Sequence, residues 1–214
     1  MYLRSTSLIG AILVMAVVVS SCGTTPVKRQ ERAADTLSDV TEGMVATRTQ
    51  IDKTLTSLNA LMSAPPNKLR DAYDQYVKDV DRMSKLAQEH QKHSQQLRER
   101  SAAWLSGWQK SHGEIQNPDL RTVSEGRRAQ VMTRFDTING STAAAQQSFG
   151  PFLQNLQDVK RVLGNDLSSR GIDAVAASGA VQQANANGPA VARALDVATS
   201  DLQALGGTLS PAVK

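Results

Sequence analysis

Over residues 69–108, apolar side chains recur in alternating steps of four and three. The positions are Leu69, Tyr73, Tyr76, Val80, Met83, Ala87, His90, Ser94, Leu97, Ser101, Trp104 and Trp108; nine of these twelve are apolar or aromatic, and the phase never slips. A strict seven-residue repeat of this length demands a helix supercoiled left-handedly against a partner. Between the stripe positions stand Lys68, Arg70, Asp71, Asp74, Lys78, Asp79, Asp81 and Arg82, a solvated face. A helix over residues 67–112 measures about 69 Å at 1.5 Å per residue. A compact globule of the 193 residues after residue 21 would have a radius of gyration near 16 Å. Such a helix does not fit inside such a globule, so the chain folds as a rod unless the helix breaks near Gly107.

The flanking segments carry related patterns. A first helix is predicted over residues 28–62. Leu37, Met44, Ile51 and Leu58 repeat there every seven residues, with Val40, Leu55 and Met62 in the companion positions. Pro65 and Pro66 stop it, since proline cannot continue a helix and pushes its predecessor to extended geometry. Asn67 is the expected cap of the second helix. The turn at Asn117-Pro118-Asp119 opens a third helix with Asp119 as cap. Its stripe is Val131, Phe135, Ile138, Thr142, Ala145, Phe149, Phe152, Leu156, Val159 and Leu163. Pro151 within it predicts a kink, and Gly164-Asn165 a break. A fourth, Ala-rich segment over residues 166–205 places Ile172, Val175, Val181, Ala184, Val191, Leu195, Ala198 and Leu202 on one side, with Asn187-Gly188-Pro189 as the expected split. Short connections make neighbouring helices antiparallel. The fold class is therefore all-α: an elongated antiparallel bundle with coiled-coil-like packing of long helices over residues 28–205, followed by a flexible tail over residues 206–214.

The N-terminus concerns location. Arg4 precedes an apolar run over residues 8–19, and small residues then lead to Cys22, the single cysteine of the chain. Twelve apolar residues are too few for a helix to span a bilayer, and the layout is that of a secretory signal peptide. Val19-Ser20-Ser21-Cys22 resembles a bacterial lipobox, and on that reading residues 1–21 are expected to be the removed signal, Cys22 the lipidated first residue and residues 22–27 a tether. Acyl chains on Cys22 provide more than the two signals that stable anchoring takes. Gly23 follows in place of an aspartate that would retain the protein at the inner membrane. The expected location is the periplasmic side of the outer membrane, with the soluble periplasm or an inner-membrane anchor as alternatives. A lipidated Cys22 leaves no thiol for a disulfide, a nucleophile or a zinc site.

Groups that could carry catalysis do not converge. His90 and His93 stand three apart beside Glu89, but His90 falls on the stripe, where a polar residue sets register, and His93 falls among solvated residues. No Gly-x-Ser-x-Gly elbow, P-loop or dinucleotide fingerprint occurs. The expectation is a protein that is not an enzyme and that holds no metal and no cofactor. Candidate contacts for a ligand or partner are the indole pair Trp104 and Trp108, four apart on one face, and the basic set Arg121, Arg127, Arg128 and Arg134. Arginines of this kind bind phosphates or carboxylates, although Asp119, Glu125 and Asp136 interrupt the set and make a solvated face of it. Past residue 21, 23 basic side chains stand against 20 acidic ones, too small an excess to suggest nucleic acid as a partner.

One further pattern runs through the chain from Leu69. It comprises Leu69, Tyr73 and Tyr76; Ala103-Trp104 with Trp108; Ile115-Gln116-Asn117; Leu120-Arg121 with Ser124; Pro151-Phe152-Leu153, Asp158, Leu163, Leu167, Arg170 and Ile172. This order and spacing resembles an uncharacterised bacterial family, one of the domains of unknown function, whose members are periplasmic or lipid-anchored helical proteins. The pattern departs at Gly164 and Asn165, where the resemblance leads one to look for lysine and histidine. The resemblance implies an all-helical fold and brings no activity with it. Anchor, heptads and missing catalytic set point to a structural or adaptor protein of the cell envelope. It would bind the membrane through Cys22 and another envelope protein, or a second copy of itself, through a helical face. The alternative is a periplasmic module that binds a lipid or a cell-wall fragment between helices near Trp104, Trp108 and Phe149.

Overall fold

A computed structural model describes residues 25–209. The expected signal peptide over residues 1–21, Cys22 and the expected tail after Leu209 lie outside the described residues. Every regular element among the described residues is helical: α1 (Pro26–Met62), a 3₁₀ turn (Pro66–Lys68), α2 (Leu69–Gly113), α3 (Pro118–Asn165), α4 (Ser169–Ala177) and α5 (Ala180–Leu209). None of these helices is long and apolar enough to cross a membrane.

Cross-helix bonds fix the directions. Gln50 on α1 donates its amide to the backbone carbonyl and the carboxylate of Asp79 on α2, at 3.2 and 3.1 Å. The hydroxyls of Tyr73 and Tyr76 donate to the carbonyls of Lys160 and Leu156 on α3, at 2.9 and 2.7 Å. Asn155 on α3 donates to the carbonyl of Ala180, and Arg127 to that of Thr208, tying both ends of α3 to opposite ends of α5. α5 returns along α1, where Asn59 and Asn185 exchange two amide bonds and Gln30 donates to the carbonyl of Leu209. The result is an up-down-up-down bundle in which α1, α2, α3 and α5 form a closed ring and α4 leans on α3 and α5 near the turn between them. α2 and α3 are the longest helices, at 45 and 48 residues, so the bundle extends about 70 Å.

The core follows the heptads. All ten stripe residues of α3 are buried, and on α2 nine of the twelve are buried and the other three half-buried. α1 departs from expectation. Leu55 and Met62 are only half-buried, and the row beside Leu37, Met44, Ile51 and Leu58 is Val40, Thr47, Thr54 and Leu61. The reason lies in the hydroxyls: Thr47 donates to the carbonyl of Gly43 and Thr54 to that of Gln50, each at 2.8 Å. A threonine satisfied by its own helix turns only its methyl inward and fits a core position.

Helix ends also differ from the expectations. Thr25 caps α1 and Pro26 fills its first turn, so the helix starts two residues before Lys28. Asn67 lies in the 3₁₀ turn, and α2 has no side-chain cap. Asn117, not Asp119, caps α3: its Oδ1 accepts from the backbone N–H groups of Asp119 and Leu120 at 2.9 and 3.1 Å. α5 runs unbroken through Pro189, and α3 through Pro151. Both prolines are exposed, so the backbone bond each one removes is lost on the solvated side of its helix. The real split comes at Gly179, whose φ of 78° is a left-handed conformation that only glycine adopts without strain. α5 also continues past Leu205 to Leu209, with Leu205 and Leu209 both buried, so the first four residues of the expected tail are helix.

Candidate functional site

A concavity lies at the end of the bundle where α1 begins. It has a volume of about 310 Å³, and α1, α2, α3 and the last turn of α5 all contribute to it. The indoles of Trp104 and Trp108 form one wall. Their ring centroids are 5.5 Å apart, and Phe135 meets Trp104 edge-on at 6.3 Å. Trp104 is buried and Trp108 half-buried, so the pair is partly core and partly cleft wall. Trp108 is held in place by a 3.0 Å bond from its Nε1 to the hydroxyl of Ser124 on α3.

Two arginines face these indoles. Arg127 reaches the cleft from α3, steadied by bonds to the carbonyl of Thr208 at 3.0 Å and to the side chain of Gln130. Arg29 reaches it from α1 and lies across Gly107 on α2. A Cβ at position 107 would sit 2.1 Å from Arg29 Nη1, so only glycine leaves room for the guanidinium against the helix. The Arg29 side chain is half-buried and has no hydrogen-bond or ion-pair partner among the described residues. Among the described residues, no acidic side chain lines the cleft. Positive charge in the same cleft as two indoles suits a ligand that carries an anionic group and an apolar part.

The sequence-selected residues divide on this geometry. Trp104, Trp108 and Arg127 come together in the cleft. Arg121 turns away and donates twice to the carbonyl of Ile115, at 3.0 and 2.6 Å, pinning the turn between α2 and α3. Arg128 is spent on Glu125 at 2.7 Å, with His112 also 3.8 Å from that carboxylate. The bond to Arg128 is the main cause that holds the Glu125 carboxyl below its usual range. Arg134 is exposed on the side of α3. Phe149 is not near the indole pair; it packs against Phe152 halfway along the bundle. Cys22 lies outside the described residues.

Sequence reasoning missed Arg29 and Gly107. Gly107 read as a possible helix break, and its position between Trp104 and Trp108 was the available signal: a side-chain-free site beside two large rings. Its occupant comes from another helix, which no local pattern reveals.

A second, narrower cleft of about 240 Å³ opens between α2 and α3 halfway along the bundle and reaches α1 and α5 at Thr47 and Leu195. His90 lines it, with Phe149, Ala145 and Ala87 around it. Of the four adjacent long-helix pairs, α2 and α3 are the least closely packed, and the small side chains of Ala87, Ala145 and Gly150 at this level account for the opening. No group of three or more His, Cys, Asp or Glu side chains converges among the described residues.

No curated protein and no solved structure significantly matches the chain. Residues 21–199 match a family described as a protein of unknown function, DUF2959. That span covers four of the five helices whole and most of α5, together with every residue of the pattern that begins at Leu69. The chain thus belongs to the DUF2959 family, an uncharacterised family of unknown function.

Proposed function

We propose that the chain is a non-catalytic structural or adaptor lipoprotein of the cell envelope, anchored through Cys22 at the periplasmic side of the outer membrane. The observation that carries this reading is where the bundle begins. Thr25 already caps α1, and the three residues from Cys22 to Thr25 span at most about 11 Å when fully extended. An acyl-modified Cys22 would therefore hold the α1 end of the bundle against the lipid surface and stand the long axis away from it. Val27, Leu120 and Val123, each at least 60 % exposed, lie in the first two turns of α1 and α3 at that same end, where a lipid surface would cover them. The sides of the rod, rich in charged residues, are left to face other envelope proteins or a second copy.

The anchor is tested by metabolic labelling with a clickable palmitate analogue in the native bacterium. Label should enter the wild-type protein, and Cys22→Ser should lose it and leave the membrane fraction. Unlabelled wild-type protein would overturn the anchor. Photocrosslinkers on the exposed face of α2 test the adaptor role, which predicts a discrete protein band. The end cleft favours a second reading, a module that binds a lipid or a cell-wall fragment; it predicts lipid or glycan adducts from a probe beside Trp108 and no protein band from α2.

A further inference from the structure

We propose that the end cleft is a binding site for an anionic amphiphile, with Arg29 and Arg127 taking the anionic headgroup and the Trp104–Trp108 pair taking the first carbons of its apolar chain. This rests on the ligand-binding reading of the cleft and is independent of the anchor.

Four features carry it. Arg29 is half-buried, and its guanidinium meets no acceptor among the described residues, so its charge has no counter-charge among them. Gly107 keeps the space that Arg29 occupies; a side chain here would push the guanidinium off the cleft wall. Arg127 adds a second charge, and its two bonds go to neutral oxygens, which position it without neutralising it. The two indoles line the same cleft and offer apolar faces that accept methylene groups. A volume near 310 Å³ is at the small end for ligand sites. It admits a phosphate or carboxylate with a short length of chain and leaves the remainder of a lipid outside. Phospholipids with an anionic headgroup have this chemistry, as do free fatty acids, and free phosphate has only half of it.

The chain contains two tryptophans, both in this cleft, so intrinsic fluorescence reports occupancy without a label. The test uses the secreted mature chain with Cys22→Ser, which retains all five helices. It is titrated below their micellar concentrations with dihexanoyl phosphatidylglycerol and dihexanoyl phosphatidylcholine, and separately with inorganic phosphate and octanoate. Saturable emission changes are expected with the phosphatidylglycerol and with octanoate, at concentrations about tenfold or more below those needed for phosphatidylcholine. Phosphate alone should give no saturable change in the same range. Arg29→Gln should raise the half-saturating concentration about tenfold, the size of one lost charge-assisted bond. Gly107→Ala should do the same with Arg29 still present, because the displaced atom is the tip of a flexible side chain and the helix can keep its fold. Thermal melts by circular dichroism verify that both variants remain folded.

Equal binding of the phosphatidylglycerol and the phosphatidylcholine, unchanged by Arg29→Gln, would overturn the anionic preference while leaving a lipid-binding cleft. Saturation by phosphate as tight as by the amphiphiles would overturn the role of the indoles. No response to any amphiphile would overturn both this proposal and the ligand-binding reading.

Discussion

His90 holds a stripe position that aliphatic and aromatic side chains fill over much of α2. Its Nε2 lies 3.4 Å from the hydroxyl of Ser94, one turn on, and its Nδ1 is buried without a partner among the described residues. Burial, and secondarily the neighbouring His93, pushes the imidazole pKa below the usual histidine value. Among the described residues, no other charged side chain lines the cleft around it to offset this. In the unfolded chain the same imidazole takes up a proton near pH 6.5. Between that value and the lower folded one, the unfolded state binds more protons, so acid favours unfolding. The melting temperature should therefore fall as pH drops from 7.5 towards 5, and His90→Gln should flatten that slope. Equal slopes in the two proteins, followed by circular dichroism, would show that the imidazole does not control it. The stripe position of His90 is plain in the sequence; that its second nitrogen goes unpaired is not, because that depends on which atoms α1, α3 and α5 bring to the same level.

At the scale of elements, the stripes on α2 and α3 were legible because a phase kept over several heptads identifies the buried face whatever individual residues do. Ser94, Ser101 and Thr142 are polar and still buried where the phase puts them. The companion row of α1 was not legible. Apolarity pointed to Leu55 and Met62, whereas Thr47 and Thr54 win the core by bonding to their own helix. Breaks were misread for a related reason: Pro189 looks disruptive in sequence but points outward, while Gly179 does the turning with no proline to mark it. The seam makes a direct prediction. Val80 and Met83 are fully buried, and an aspartate at either position would bring an unpaired charge into the bundle, a cost on the order of 3–5 kcal/mol. Val80→Asp should lose its helical melting transition at room temperature. A transition within a few degrees of the wild type would mean that α2 does not pack through this face.

For the whole molecule, the ring of four long helices sets the shape. Helices of 45 and 48 residues side by side make a rod of about 70 Å by the rise of 1.5 Å per residue. Small-angle scattering from the soluble chain should give a maximum dimension of at least about 70 Å and an elongated pair-distance distribution, well beyond a globule with a radius of gyration near 16 Å. A symmetric distribution ending near 50 Å would contradict the extended bundle. The end cleft belongs to this scale as well. Trp104, Trp108 and Arg127 could be selected by residue type, but Arg29 is 78 positions away from Gly107 in the chain and meets it only because α1 and α2 run antiparallel.

An even number of long helices has one more consequence. α1 starts and α5 finishes at the same end, where Gln30 bonds to Leu209. The start of α1 and the end of α5 are thus neighbours, and both flank the arginine–tryptophan cleft. A reporter joined directly after Leu209 would crowd that cleft and, in an anchored protein, whatever surface it rests on. A small tag inserted between Ala64 and Pro65 would instead ride at the opposite tip, about a bundle length away. Tagging strategy therefore decides which end of this molecule an experiment leaves undisturbed.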